Sequence, residues 1–151
     1  MKRKNIVIFV VIGFIIFFFV VFFFVTAEWE YIGTDAAGND YLYNTRSVSR
    51  GQDTTTVWVK VMLSDKDKAS VVKEFPKING IENINNTVTK YEINCSKNVF
   101  RATFEAWHSS EGKVIYSQSA GANVPGQFFN IPPGTMGAFF TKTICKNAGG
   151  K

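Results

Sequence analysis

A long uncharged apolar stretch near the N-terminus cannot belong to a globular fold. Residues 6–25 contain no charged residue and no proline. A helix of this length extends roughly 30 Å at about 1.5 Å per residue, which matches the hydrocarbon core of a bilayer. A helix that is apolar on every face along its whole length is a membrane span or is buried in the core of a large protein, and a chain of 151 residues is not large enough for the second. The stretch therefore predicts an N-terminal hydrophobic transmembrane or signal helix within residues 1–27.

The flanking residues predict how this helix is oriented in a bacterial-type membrane. Residues 2–4 are Lys-Arg-Lys, and the positive-inside rule keeps such a cluster in the cytoplasm, so the chain from Glu28 onward is exported. Residues 25–27 place small side chains where a signal peptidase cuts, but the apolar stretch is longer than a usual signal core. Two alternatives stay open. Residues 1–27 are either an uncleaved signal anchor in the inner membrane, with the domain in the periplasm or outside the cell, or a cleaved signal peptide that leaves a periplasmic or cell-surface protein.

The charge of the exported part argues against a nucleic acid partner. The whole chain has a formal net charge of +5, but three of its basic residues precede the apolar stretch. All 12 acidic residues follow that stretch, so the exported part is close to neutral. Its lysines are scattered along the sequence instead of forming the basic face that phosphate binding requires.

Cys95 and Cys145 are the two cysteines of the chain, and both lie in the exported part. An even number of cysteines outside the cytoplasm favours a disulfide bond. A crosslink that closes a loop of about 50 residues contributes roughly 4 kcal/mol when it is unstrained. Two alternatives remain, a metal site and a redox pair. The first would need further cysteine or histidine ligands, and the second usually has Cys-x-x-Cys spacing.

Alternation of apolar and polar residues predicts six antiparallel strands. The clearest strand runs from Thr54 to Met62, where Val57, Val59 and Val61 alternate with a mixed face that carries Trp58 and Lys60. Strict period two indicates one buried face, and we expect the valines to form it. The other strands are predicted at residues 29–32, 41–43, 87–94, 98–107 and 113–118.

Two segments have helix signals. Residues 69–75 predict a short helix that Pro76 ends, after a charged turn or N-cap at residues 64–68, and residues 77–86 are predicted as loop. Thr135 is the expected N-cap of a C-terminal helix at 136–145. The sequence therefore predicts one α+β domain over residues 28–151, with about six antiparallel strands and a C-terminal helix that a disulfide would tie to the sheet.

No catalytic apparatus is recognisable in the exported sequence. His108 is the only histidine, which excludes a histidine-rich metal cluster, and we interpret it as an exposed structural residue. Gly-x-Ser-x-Gly, P-loop and Gly-x-Gly-x-x-Gly motifs do not occur. Asp65 and Asp67 do not begin a calcium loop, because Ser70 and Pro76 stand where that loop needs glycine and glutamate. We predict no catalytic residue, no metal ligand and no cofactor, and the ligand-binding residues stay unknown.

A series of landmarks along residues 28–146 is distinctive as a set. The landmarks are Trp29 with Gly33, Tyr41 and Tyr43 followed by Ser47, Val57-Trp58-Val59-Lys60, Tyr91-Glu92-Ile93-Asn94-Cys95, Phe100-Arg101, Gly112, Ile131-Pro132-Pro133-Gly134 and Cys145. In this order they resemble the bacterial surface-adhesin protein E-like domain family. The resemblance implies a six-stranded antiparallel sheet, a C-terminal helix held by the cysteine pair, and an envelope location. The chain departs from the family at Phe128 and Phe129, where members often carry a tryptophan.

The resemblance and the lack of catalytic motifs predict a non-enzymatic envelope or surface protein that binds a protein or another envelope ligand. Fold similarity does not carry a particular ligand from one protein to another. The candidate binding regions are the mixed face with Trp58 and Lys60 and the charged segment at residues 64–86. The alternatives are a structural or stress-related periplasmic protein without a dedicated ligand, and a small envelope hydrolase or small-molecule carrier.

Overall fold

The computed structural model describes residues 28–120 and 127–148. The predicted transmembrane or signal helix at residues 1–27 lies outside the described residues. Within the described ranges, no helix is long and apolar enough to cross a membrane.

One antiparallel sheet of eight strands organises the described part of the chain. The strands are β1 (Trp29–Thr34), β2 (Asp40–Asn44), β3 (Ser49–Arg50), β4 (Thr55–Met62), β5 (Ile84–Asn94), β6 (Val99–Ser109), β7 (Val114–Ser119) and β8 (Phe129–Asn130). Six of them lie side by side in the order β1-β2-β4-β5-β6-β7, while β3 pairs with β4 and β8 pairs with β6. All six predicted strands are present, and the antiparallel α+β class is confirmed. The two extra strands have two residues each, which is too short for an alternating pattern to reveal.

Helix α1 spans Asp65–Glu74 and begins earlier than the predicted start at residue 69. Ser64 is its N-cap, because the Ser64 hydroxyl oxygen accepts a hydrogen bond from the backbone N–H of Asp67 at 3.3 Å. This bond satisfies one of the amides that the first helical turn leaves unpaired. The charged segment after Ser64 therefore belongs to the helix and is not a separate turn.

The loop predicted for residues 77–86 is corrected in its second half. A turn of 3-10 helix occupies Ile81–Asn83, and β5 begins at Ile84. Ile81 and Ile84 are both buried and pack with Trp107 and with Val71 and Val72 of α1. The asparagine-rich composition of this segment predicts a loop, so the sequence did not indicate that Ile81 and Ile84 belong to the core.

Helix α2 spans Met136–Ala148 and begins where the sequence predicts. The Thr135 hydroxyl accepts a hydrogen bond from the backbone N–H of Ala138 at 3.2 Å, as expected of an N-cap. Cys145 lies in this helix and Cys95 directly follows β5, and the two form a disulfide bond with their Cα atoms 5.9 Å apart. The bond ties the C-terminal helix to the central part of the sheet.

Both helices pack on the same face of the sheet. Phe140 and Ile144 of α2 lie against Val57 and Val59, which are 0% and 1% exposed. Trp107, under α1, belongs to that face as well. It pairs with Thr87, which pairs with Val61, and paired residues share a face. The valine face is therefore the core, as the alternation in β4 predicts.

Candidate functional site

The sheet face opposite the two helices is the candidate functional site, and we call it the open face. No helix of the described chain packs on it. Successive side chains of a strand point to opposite faces, so the residues between the buried valines of β4 lie here. Strand register adds their neighbours from the other strands. The main members of the open face are Trp29, Tyr31, Leu42, Trp58, Lys60, Val88, Lys90, Glu92, Arg101, Phe104 and His108.

Two cations of the open face lie over tryptophan rings. The Lys60 ammonium is 4.1 Å from the centre of the Trp29 ring, and the Lys90 ammonium is 5.9 Å from the centre of the Trp58 ring. The quadrupole of an aromatic ring attracts a cation by about 0.5–1 kcal/mol at exposed sites. A ring has no formal charge, so it holds the ammonium in place without neutralising it.

A third cation of this face, Arg101, has both a ring and a carboxylate as partners. Its guanidinium lies 4.7 Å from the centre of the Phe128 ring. Its Nε and Nη2 atoms also donate to Oε2 of Glu92, at 2.8 and 2.6 Å, and the Thr54 hydroxyl donates to the other oxygen of that carboxylate at 3.1 Å. Both carboxylate oxygens of Glu92 are therefore bound by residues of the same domain, Arg101 and Thr54.

Strand register places the three cations on a diagonal across the sheet. Lys60 on β4 faces Val88, which is two residues before Lys90 on β5. Arg101 on β6 faces Glu92, which is two residues after Lys90. Diagonal neighbours of this kind are about 7–8 Å apart, which lies within reach of long side chains. The three cations therefore form a line across the central strands.

The two lysines keep their charge available at the surface. Neither Lys60 nor Lys90 forms an ion pair with any residue that the structure describes. Burial lowers the pKa of Lys60, and the nearby Glu28 carboxylate opposes that change. The two lysines therefore carry positive charge on the open face with no carboxylate of the described chain bound to them.

Two aromatic side chains close to these cations, Trp58 and Phe104, pack against each other. Trp58 packs edge-on against Phe104, with ring centres 5.4 Å apart and ring planes at 70°. Both rings are half-buried. Edge-to-face aromatic pairs add about 0.5–1.5 kcal/mol to the stability that area burial gives. The predicted candidate Trp58 is thus a fixed part of the surface and does not protrude from it.

His108 lies at one end of the open face, next to Asn86 in the register. It is half-buried, which corrects the predicted exposed position. Its Nδ1 atom is buried and has no hydrogen-bond partner among the described residues. Burial, and secondly the positive charge of Lys60, lower the pKa of this imidazole, although a hydrogen bond with the Ala106 backbone opposes the change. His108 therefore favours its neutral form.

The second predicted candidate, the charged segment at residues 64–86, lies off the open face except at its last residue, Asn86, which pairs with His108 in the register. Its helix α1 packs on the other side of the sheet, where Phe75 contacts Trp107 edge-on with ring centres 5.0 Å apart. The segment therefore contributes mainly to the second core cluster. No group of three or more metal-ligating side chains occurs in the ranges 28–120 and 127–148.

Sequence reasoning missed several members of the site. Trp29, Lys90, Phe104, Arg101 and Phe128 come from four different strands or their flanks, and only the pairing register brings them next to Trp58 and Lys60. The alternation in β5 separates Lys90 from its neighbours, but in β6 it predicts opposite faces for Arg101 and Phe104, which a register shift brings to the same face. It did not show which face of those strands matches the mixed face of β4.

The described chain is a small α+β domain built on a single antiparallel sheet. Helices cover one face of the sheet, and the other face is open, aromatic and cationic, so it is available for contact with another molecule. Residues 29–146 match the family described as Surface-adhesin protein E. The chain therefore belongs to that family and is a surface adhesin-like protein, which confirms the resemblance noted in the sequence.

Solved structures of Haemophilus influenzae protein E share this fold. Its crystal form II superimposes with a TM-score of 0.56 at 11% sequence identity, covering 83% of this chain and 92% of that chain. A second structure of the same protein gives a TM-score of 0.55 at 10% identity, covering 84% of this chain and 90% of that chain. At such identities the likeness is one of fold. Comparison with curated proteins finds no match.

Proposed function

We propose that this chain is a non-enzymatic envelope or surface protein that binds another macromolecule through its open face. The observation that carries the proposal is the pair of lysines, Lys60 and Lys90, held over tryptophan rings without a carboxylate partner. Side chains that are positioned and charged, yet unpaired, are available to a partner. Membership of the adhesin family supports the same role.

The chemistry of the described residues supports a binding role over an enzymatic one. His108 is the only histidine, and its Nδ1 has no partner in the described chain, so no described nucleophile is activated through that nitrogen. Asp35 is not a candidate general acid. Burial raises its pKa, but hydrogen bonds from Asn39, Ala37 and Tyr41 outweigh burial and lower the pKa below its ordinary value, whereas a general acid needs a raised pKa.

Residues 1–27 support a location at the cell envelope. We infer that they hold the domain at residues 28–151 on the outer side of the inner membrane, because the apolar stretch is long enough to span a bilayer and is preceded by a basic cluster. Protease added to intact spheroplasts should then degrade the domain. N-terminal sequencing distinguishes an anchor from a cleaved peptide, since a product that begins at Glu28 would contradict the anchor, and a protected domain would contradict export.

A binding assay with matched charge variants tests the proposed function. Full-length protein in detergent is applied to immobilised envelope extract and to extracellular-matrix proteins, beside the double variant Lys60→Glu with Lys90→Glu. The control variant carries Lys73→Glu and Lys142→Glu, which make the same charge change at exposed positions of the two helices. We expect saturable capture that weakens at least about tenfold in the open-face variant only.

Two outcomes of that assay would contradict the proposal. Equal losses in both double variants would show that net charge, and not the open face, decides binding. Turnover of a generic ester, phosphate or peptide substrate that disappears when one acidic residue is changed would show an enzyme.

A further inference from the structure

We propose, resting on the binding role of the open face, that its partner is an anionic polysaccharide lying along the diagonal of Lys60, Lys90 and Arg101. These three cations come from three adjacent strands and each lies over an aromatic ring. A linear polymer with carboxylate or sulfate groups at regular intervals is complementary to Lys60 and Lys90, and Arg101, already paired with a carboxylate, continues their line. Half-buried aliphatic side chains next to Lys60 in the register, Leu42 and Val88, add apolar surface that the C–H groups of sugar rings can contact.

Charge complementarity indicates that the partner is negatively charged. Glu92, the carboxylate within this diagonal, is already bound to Arg101 and Thr54, and the lysines form no ion pair with the described residues. Acidic side chains that remain nearby, Glu28 and Asp40, are exposed and lie toward the margins of the face. An anionic partner therefore meets unpaired positive charge at the centre of the face.

The backbone of the open face argues against an acidic peptide as the partner. Strands β4 and β5 each have a hydrogen-bonded neighbour on both sides, so their N–H and C=O groups are used within the sheet. Peptides that bind sheets in extended form do so at an edge, where the backbone groups are unpaired. A partner on this face meets side chains alone, which suits a polysaccharide whose recognition uses anionic groups and sugar-ring faces.

The packing of the aromatic side chains argues against a lipid bilayer as the partner. Aromatic residues that anchor proteins to membranes extend their rings into the headgroup region. Trp58 and Phe104 are instead half-buried and packed against each other with ring centres 5.4 Å apart. These two rings pack edge-on at 70° and do not project from the face.

Polymer binding separates this inference from its alternatives. Full-length protein in detergent is titrated with heparin, polygalacturonate, uncharged dextran and polyglutamate. In a second experiment, full-length protein in phosphatidylcholine vesicles is mixed with vesicles that contain phosphatidylglycerol, and the binding of those vesicles is measured. The variants are Lys60→Gln with Lys90→Gln, and Lys73→Gln with Lys142→Gln as the control. Trp29→Leu removes the ring under Lys60 while both lysines stay. Thermal melting of each variant verifies folding.

We expect heparin or polygalacturonate to bind, dextran not to bind, and affinity to fall as salt is added. The open-face variant should lose at least about tenfold in affinity, Trp29→Leu a smaller factor, and the control variant less than about twofold. Preferential binding of polyglutamate or of phosphatidylglycerol vesicles would overturn the inference, as would equal losses in the two double variants. If neither polysaccharide binds while envelope or matrix capture still depends on Lys60 and Lys90, the polysaccharide is refuted and the proposed function stands.

Discussion

The ammonium group of Lys60 reaches from β4 across β2 to lie over the ring of Trp29 in the edge strand, 4.1 Å from the ring centre. This contact connects the middle of the sheet to the first strand that follows the predicted membrane segment. It also fixes a positive charge on the face opposite the helices. Because one face is a covered core and the other is open and cationic, substitutions on the two faces should have different effects.

Replacing Val59 with aspartate should unfold the domain. Val59 is 1% exposed in the core, so the substitution buries an unpaired charge and should lower the free energy of unfolding by at least about 3 kcal/mol. Trp58→Lys changes the neighbouring residue on the opposite face and should cost clearly less. Urea denaturation of both variants measures the difference, and a harmless Val59→Asp beside an unfolding Trp58→Lys would reverse the assignment of the two faces.

The alternation in β4 is also why the core was predictable from the sequence. Val57 and Val59 repeat with strict period two, so the strand itself shows which side is buried. Ile81 and Ile84 lacked such a pattern, because a turn of 3-10 helix interrupts the period among asparagines. The open face was predictable only within β4. Its other members depend on register, and β5 and β6 contain an irregularity between Lys90 and Tyr91 that a local pattern does not show.

Replacing Asn39 with alanine should detach the β1–β2 turn from α1. Asn39 is 4% exposed, and its side-chain amide donates to Asp35 at 2.9 Å and to Asp67 at 2.6 Å, while its oxygen accepts from the Ser64 backbone at 2.8 Å. Losing these buried bonds should lower the free energy of unfolding by about 2 kcal/mol. Asn83→Ala is the control, since Asn83 is exposed and, among the described residues, its side chain bonds only its neighbour Glu82. Equal stability of the two variants would contradict the role of Asn39.

The Cys95–Cys145 bond should be present in protein isolated from the envelope. Non-reducing mass spectrometry should find the two cysteine peptides linked, and reduction should lower the melting temperature, because a crosslink over about 50 residues contributes up to roughly 4 kcal/mol. Cys95→Ser with Cys145→Ser should melt like the reduced protein. Two free thiols in freshly isolated protein would refute the bond in the cell.

Acid should destabilise the domain partly through His108. Burial, and then Lys60, hold the pKa of its imidazole below the ordinary 6.5, so the unfolded chain takes up this proton at a higher pH than the folded chain does. The stability that the neutral imidazole gives is complete above pH 6.5 and is lost as the pH falls from there through the lower folded pKa. The melting temperature of His108→Gln should therefore decline less between about pH 7 and pH 5 than that of the unchanged protein. Parallel pH profiles would contradict this.

Lysine footprinting tests most directly whether the open face is the binding surface. Full-length protein is acetylated briefly, alone and while bound to the macromolecule that it captures, and mass spectrometry measures the modification of each lysine. Binding through the open face predicts that Lys60 and Lys90 lose reactivity on binding while Lys73 and Lys142, on the helices, keep theirs. Protection of Lys73 and Lys142 with unchanged reactivity of Lys60 and Lys90 would contradict the account.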